Sequence, residues 1–142
     1  MTNWGILKMP VDYELLYSFT EQLLHFQKSI RWVGISNKYG VLLAVEQRDN
    51  LTPLMTEEES EEYAASAVKR QATRVKYQSK VGMLEYAFGR YEKISRVTIP
   101  INKDYYLLFT LDVEEKNYDE LIMEKIIPLI KKYKDKFQFG DD

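Results

Sequence analysis

The chain has 142 residues, with 20 basic and 22 acidic side chains for a formal charge of −2, no cysteine and one histidine. That balance gives no overall electrostatic pull toward phosphate backbones or anionic membranes, and the missing cysteines exclude disulfides, thiolate nucleophiles and cysteine-based metal clusters. Hydrophobic residues at 45% and aromatics at 13% call for a packed core, and no apolar run nears the roughly 20 residues of a membrane span.

The expected organisation is one domain over residues 1–142, soluble and cytoplasmic. Its core is residues 12–137, preceded by an arm (1–11) carrying Trp4, Ile6 and Leu7, and followed by a frayed tail (138–142). The Trp4 to Leu7 stretch is too short for a signal peptide. From Asp12, a suitable N-cap, Leu15, Leu16, Phe19, Leu23, Phe26 and Ile30 share one helical stripe, with Tyr13, Tyr17 and Leu24 on its flank. Residues 31–36 (RWVGIS) and 40–47 (GVLLAVEQ) then read as a hairpin around the turn Asn37, Lys38, Tyr39, Gly40. The second strand does not alternate with polar residues, so it is expected to be covered on both faces.

Residues 48–56 form a loop by their Asp, Asn and Pro content, yet carry Leu51, Leu54 and Met55. These either tuck onto the core or offer a partner surface. Thr56 with Glu59 makes a capping box, and Glu57, Glu58, Glu59, Glu61 and Glu62 suit the positive end of the helix that follows. A metal site is the rival reading of this acidic run, but consecutive carboxylates splay around a helix. Ala65, Val68, Ala72 and Val75, with Ala64 and Ala67 beside them, predict a small-residue face that allows close approach to the sheet or to a second copy.

Three strands follow within residues 82–113: MLEYAFGRY, KISRVTIPI and DYYLLFTLDV. Asn117 with Glu120 fits another capping box. Ile122, Met123, Ile126, Leu129, Ile130, Tyr133 and Phe137 then run in one stripe through Pro128, predicting a single helix bent at the proline. The fold class is thus α+β: a five-stranded antiparallel sheet with three helices in the order α-β-β-α-β-β-β-α.

This order resembles the roadblock/LC7 domain, a profilin-like fold. The stretches IRWVGISNKYGVLLA (30–44) and VTIPINKDYYLLFTLDVE (97–114) are also similar to a group of uncharacterised thaumarchaeal proteins. The resemblance covers about residues 12–135. It implies a non-enzymatic, dimerising scaffold or regulatory protein-interaction module, with itself as homodimer partner and a small GTPase or other protein as a further one. Carried onto this chain, the third strand (84–90) lies at the sheet edge and pairs with its copy while the middle helix packs across the dyad. The dimer interface would then comprise Leu84, Tyr86, Phe88, Gly89, Ala64, Ala67 and Gln71. The longer N-terminal arm and the lysine-ended last helix depart from the family pattern. The residues agree on the edge strand, where Leu84, Tyr86 and Phe88 alternate with Glu85, Ala87 and Gly89 without a proline.

No catalytic constellation emerges, and neither a cofactor nor a metal ion is expected. His25 lies off the apolar stripe of its helix, and the glycines form neither a P-loop nor a dinucleotide fingerprint. Lys69, Arg70, Arg74, Lys76 and Lys80, and Lys131, Lys132, Lys134 and Lys136, match helix C-terminal ends, which favours solvated charge over a nucleic-acid surface. The alternative function is a small-molecule sensor with a pocket between sheet and helix, lined by Trp32, Tyr105, Tyr106 and Phe109.

Overall fold

A computed structural model describes residues 11–137; the expected arm up to residue 10 and the tail from residue 138 lie outside the described residues. The elements are α1 (Tyr13–Leu24), β1 (Ile30–Asn37), β2 (Leu42–Gln47), α2 (Glu57–Val75), α3 (Gln78–Val81), β3 (Ala87–Arg90), β4 (Ile94–Pro100) and β5 (Tyr105–Asp112). A continuous helical run closes the chain: α4 (Tyr118–Leu121), a π-helical turn (Ile122–Ile126), α5 (Ile127–Tyr133) and a 3₁₀ turn (Lys134–Lys136). The five strands form one antiparallel sheet in the order β2-β1-β5-β4-β3.

Period-two alternation splits β5 between two cores. Leu107, Phe109 and Leu111 join Val33, Ile35, Val97 and Ile99 under α1 and the C-terminal helix, while Leu108 meets Ala64 and Ala67 of α2 on the opposite face. Phe19 of α1 locks the first layer by edge-on contacts with Tyr133 and Phe137, each at 5.3 Å between ring centroids. Such edge-to-face pairs align the positive rim of one ring with the negative face of another. Asn102, in the β4–β5 turn, ties that turn to the same helix end. Its side-chain carbonyl accepts from the Asp104 and Tyr105 amides, and its amide donates to the carbonyls of Lys134 (3.1 Å) and Phe137 (3.2 Å).

Local signals hold where a side chain completes the backbone. The Asp12 carboxylate accepts from the Leu15 amide, and Thr56 and Glu59 form the reciprocal capping box. In the hairpin turn the Asn37 side chain accepts from the Tyr39 and Val41 amides, and Gly40 takes φ +82°. Any Cβ there would stand 2.8 Å from the Ala65 Cα, so this glycine also lets the turn touch α2.

Several expectations are corrected. Helix α1 stops at Leu24, with Phe26 in the following turn and Ile30 in β1. Strand β2 is an edge strand and is not covered on both faces: Val45 is 38% exposed. A four-residue helix, α3, separates α2 from β3, and the third strand is Ala87–Arg90, leaving Leu84 and Tyr86 outside it. Gly82 at φ +90° ends α3, and the Tyr86 hydroxyl is drawn to Asp119 instead of continuing a ladder. Asn117 makes no side-chain cap.

At Pro128 the missing N–H is absorbed by widening the preceding turn. The Ile127 amide donates five residues back to Ile122, and Ile122, Ile126, Leu129 and Ile130 all remain buried.

Candidate interaction site

The rim of the sheet at β3 is where the structure leaves binding groups unused. Among the described residues only β4 pairs with β3, which leaves the outer edge of its four residues open. An open edge presents backbone donors and acceptors that another strand can complete. Beside it runs a chain of large exposed apolar side chains: Val75 at the end of α2, Tyr77, then Val81 (82% exposed) and Met83 (78% exposed). They lie along a single connection, from the end of α2 through α3 toward β3. Large apolar side chains left exposed in such number along one connection point to an interaction surface more than a single exposed residue does.

The α2 face turned to the sheet differs from the predicted stripe. Ala64 and Ala67 are wholly buried and Gln71 nearly so, and Ala64 and Ala67 pack against Leu108, Trp32, Leu42 and Tyr63 of their own chain. Those three positions, expected at the dimer interface, are therefore spent inside the fold. Ala65, Ala72 and Val75 point outward, with Val68 half-buried. The small-residue face and its neighbour have exchanged roles, because Ala64 and Ala67 are the residues that let the helix approach Trp32 and Leu108. Phe88 is likewise committed within the chain: its ring stacks on Tyr118 at 3.9 Å, on the face covered by the C-terminal helix. Gly89 remains on the open strand, opposite Arg96. Arg96 lies under α2 with its guanidinium 3.9 Å from the Tyr63 ring centroid and 5.4 Å from that of Tyr91.

Leu84 and Tyr86 lead into this edge without joining it. The Tyr86 hydroxyl donates to Asp119 at 2.5 Å, and that bond to a carboxylate, more than burial, pushes the phenol up to about 12.

At the opposite rim, Leu51, Leu54 and Met55 come together over a cavity of about 560 Å³ between β2, the first turns of α2 and the connecting loop. Trp32 and Tyr63 also line it. Leu54 is 52% exposed, so the loop covers the cavity without sealing it. Of the aromatics assigned to a sensor pocket only Trp32 reaches this space. Tyr105 and Phe109 are in the core on the other face, and Tyr106 does not line it.

The start of the loop is held by a charge knot that sequence reasoning missed. Asp112 accepts from Arg31 at 2.8 Å and from Arg48 at 3.0 and 3.3 Å, and Arg48 also donates to the Lys28 carbonyl. Burial raises the Asp112 pKa, but the two guanidinium groups outweigh it and hold the carboxyl below the usual carboxylate value. His25 is exposed and its Nδ1 sits 2.8 Å from the Glu21 carbonyl, a local helix-end contact. Among the described residues no group of three His, Asp or Glu side chains could hold a metal ion, and no helix is long and apolar enough to cross a membrane.

The sheet order, the helix on each face and the open third strand define the roadblock/LC7 fold. A roadblock/LC7 domain from Streptomyces avermitilis matches with a TM-score of 0.66 at 9% identity, covering 84% of this chain and 94% of that one. The gliding protein MglB from Thermus thermophilus matches at 0.70 and 12% identity, covering 92% and 96%. MglB of Myxococcus xanthus matches at 0.70 and 12%, covering 89% and 98%. No family model and no curated protein matches the sequence.

Proposed function

We propose that this protein is a non-enzymatic protein-interaction module that works as a homodimer, joined through the outer edge of β3 and the exposed face of α2. The observation that carries it is a proline-free strand whose outer edge is unpaired among the described residues, preceded in the chain by the exposed apolar run Val75, Tyr77, Val81 and Met83. Two edges meeting antiparallel about a two-fold axis would satisfy both backbones and extend the sheet across the pair. The charge of α2 fits the same arrangement. Its acidic first turns (Glu58 and Glu62, away from the carboxylates that line the cavity) and its basic end (Arg74, then Lys76 and Lys80) attract one another when two copies lie antiparallel.

The fold's solved relatives support self-association, since one of them is described as MglB with a tetrameric arrangement. On this reading the dimer holds a further protein, with a small GTPase the partner class that the family resemblance implies. Sedimentation equilibrium at high micromolar concentration tests the core of the proposal. A mass of twice 16.9 kDa is expected, falling to 16.9 kDa in a Val81→Lys, Met83→Lys double variant. Both positions are highly exposed, so the variant keeps its fold. A wild-type monomer, or a dimer indifferent to the double variant, overturns it.

A further inference from the structure

The cavity beneath the 48–56 loop lies at the β2 rim, across the sheet from the proposed dimer edge, and the dimer reading makes no use of it. Its volume of about 560 Å³ falls within the roughly 300–1,000 Å³ of small-molecule sites. Its walls are mostly aliphatic and aromatic, the Trp32 indole among them, with Gln47, Thr56, Ser60 and Thr110 as neutral polar groups. The indole lies so close over Gly34 that a Cβ there would stand 2.5 Å from its ring, so the absence of a side chain at 34 sets where the ring rests.

The charges facing this space are of unequal availability. Arg31 reaches it but is bound to Asp112, with a side chain only 15% exposed. Glu57 and Glu61, one helical turn apart, also line it and form no ion pair among the described residues. Two like charges at this spacing repel each other. An apolar anion entering here would meet both carboxylates and, among the lining residues, no free cation: Arg31 is taken by Asp112, and Arg96, behind Met55 and the Tyr63 ring, does not line the space. A cation would be held by them and by the negative ring face of Trp32, which lies on the same side of the sheet as α2.

We propose that this cavity is a binding site for a small organic cation with an apolar body, an alkyl or aryl amine, whose ammonium sits between Glu57 and Glu61 and whose hydrocarbon lies against Trp32 beneath Leu51 and Met55. The site belongs to each subunit alone, so its test is independent of self-association.

The experiment titrates the full chain with 2-phenylethylamine and, separately, with its near-isostere 3-phenylpropionate, following amide and indole resonances by two-dimensional NMR. The amine should give saturable shifts at the Trp32 indole N–H and at Leu51 and Met55, with an affinity on the order of tenfold above that of the carboxylate. In a Glu57→Gln, Glu61→Gln variant, which leaves the Thr56–Glu59 capping box intact, that preference should vanish. A thermal melt checks that the variant is folded. Equal binding of the two probes, shifts confined to other surfaces, no saturable binding, or a preference that survives in the folded variant would each overturn the proposal.

Discussion

Replacing Asp112 by Asn probes the knot that joins three separate stretches of chain. Asp112 on β5 serves Arg31 on β1 and Arg48 just after β2 through contacts of 2.8, 3.0 and 3.3 Å, with Arg31 and Asp112 only 15% and 26% exposed. Asparagine keeps an acceptor of the same shape but leaves two guanidinium groups facing each other without a counter-charge. Bonds to charged groups contribute about 1.5–3 kcal/mol each, and part of that survives in the amide, so a loss of about 2 kcal/mol is expected. For a chain of this length that corresponds to a fall in Tm of roughly 6–8 °C.

The pH dependence has a definite sign. The folded-state carboxyl titrates below its ordinary 3.8, so its contribution is complete above that value and is lost as pH falls through the depressed folded pKa. The gap between urea melts of wild type and Asp112→Asn should therefore narrow as pH is lowered below the ordinary carboxyl value. Because the knot anchors the entrance to the 48–56 loop, hydrogen exchange at Leu51 and Met55 should quicken in the variant. A Tm difference below about 2 °C at pH 7, or a gap that stays constant with pH, would refute this account of the knot.

Gly40→Ala should cost about 2–3 kcal/mol, since it adds left-handed strain to a clash with the α2 backbone, whereas Gly82→Ala, with open space around its Cβ, should cost only about 1; equal losses in denaturant melts would remove the turn–helix contact from the argument. Tyr86 should titrate near 12 by absorbance or NMR and return to the ordinary phenol range in Asp119→Asn. The neutral phenol is the form that donates to Asp119, so this bond is intact below about pH 10 and is given up as pH rises toward the folded value; a wild-type Tyr86 titrating at its ordinary value contradicts the short bond. Phe88→Lys should lower stability by about 3 kcal/mol through loss of the Tyr118 stack, whatever it does to assembly; an unchanged melting temperature would show that the ring is not committed within its own chain.

The sequence disclosed the sheet and most of its helices because those signals are local. Asp12, Thr56 with Glu59, and the Asn37–Gly40 turn each satisfy backbone groups within a few residues, and the alternation along 105–111 shows two apolar faces directly. What depended on neighbours was harder to read. The alanines of α2 occur on adjacent faces, and periodicity cannot tell which of them meets the sheet until Trp32 and Leu108 are in position. Leu84 and Tyr86 alternate as a strand would, yet Tyr86 is drawn off by Asp119, 33 residues ahead. The Asp112 knot, the tie from Asn102 and the cavity over Trp32 are all assembled from distant segments, and no spacing along the chain announces them. Val81 and Met83 escaped notice for the opposite reason. They belong to no stripe, and their significance comes from being left in solvent beside an open edge.

The most direct test of the central claim is a search for contacts between β3 strands of different protomers. In a dimer reconstituted from isotope-labelled and unlabelled chains, isotope-filtered NOEs should connect Ala87–Arg90 of one protomer with the same segment of its partner, and the outer β3 amides should exchange slowly. An absence of intermolecular contacts at this strand in a sample shown to be dimeric, with its edge amides exchanging as freely as those of an open rim, would contradict the account.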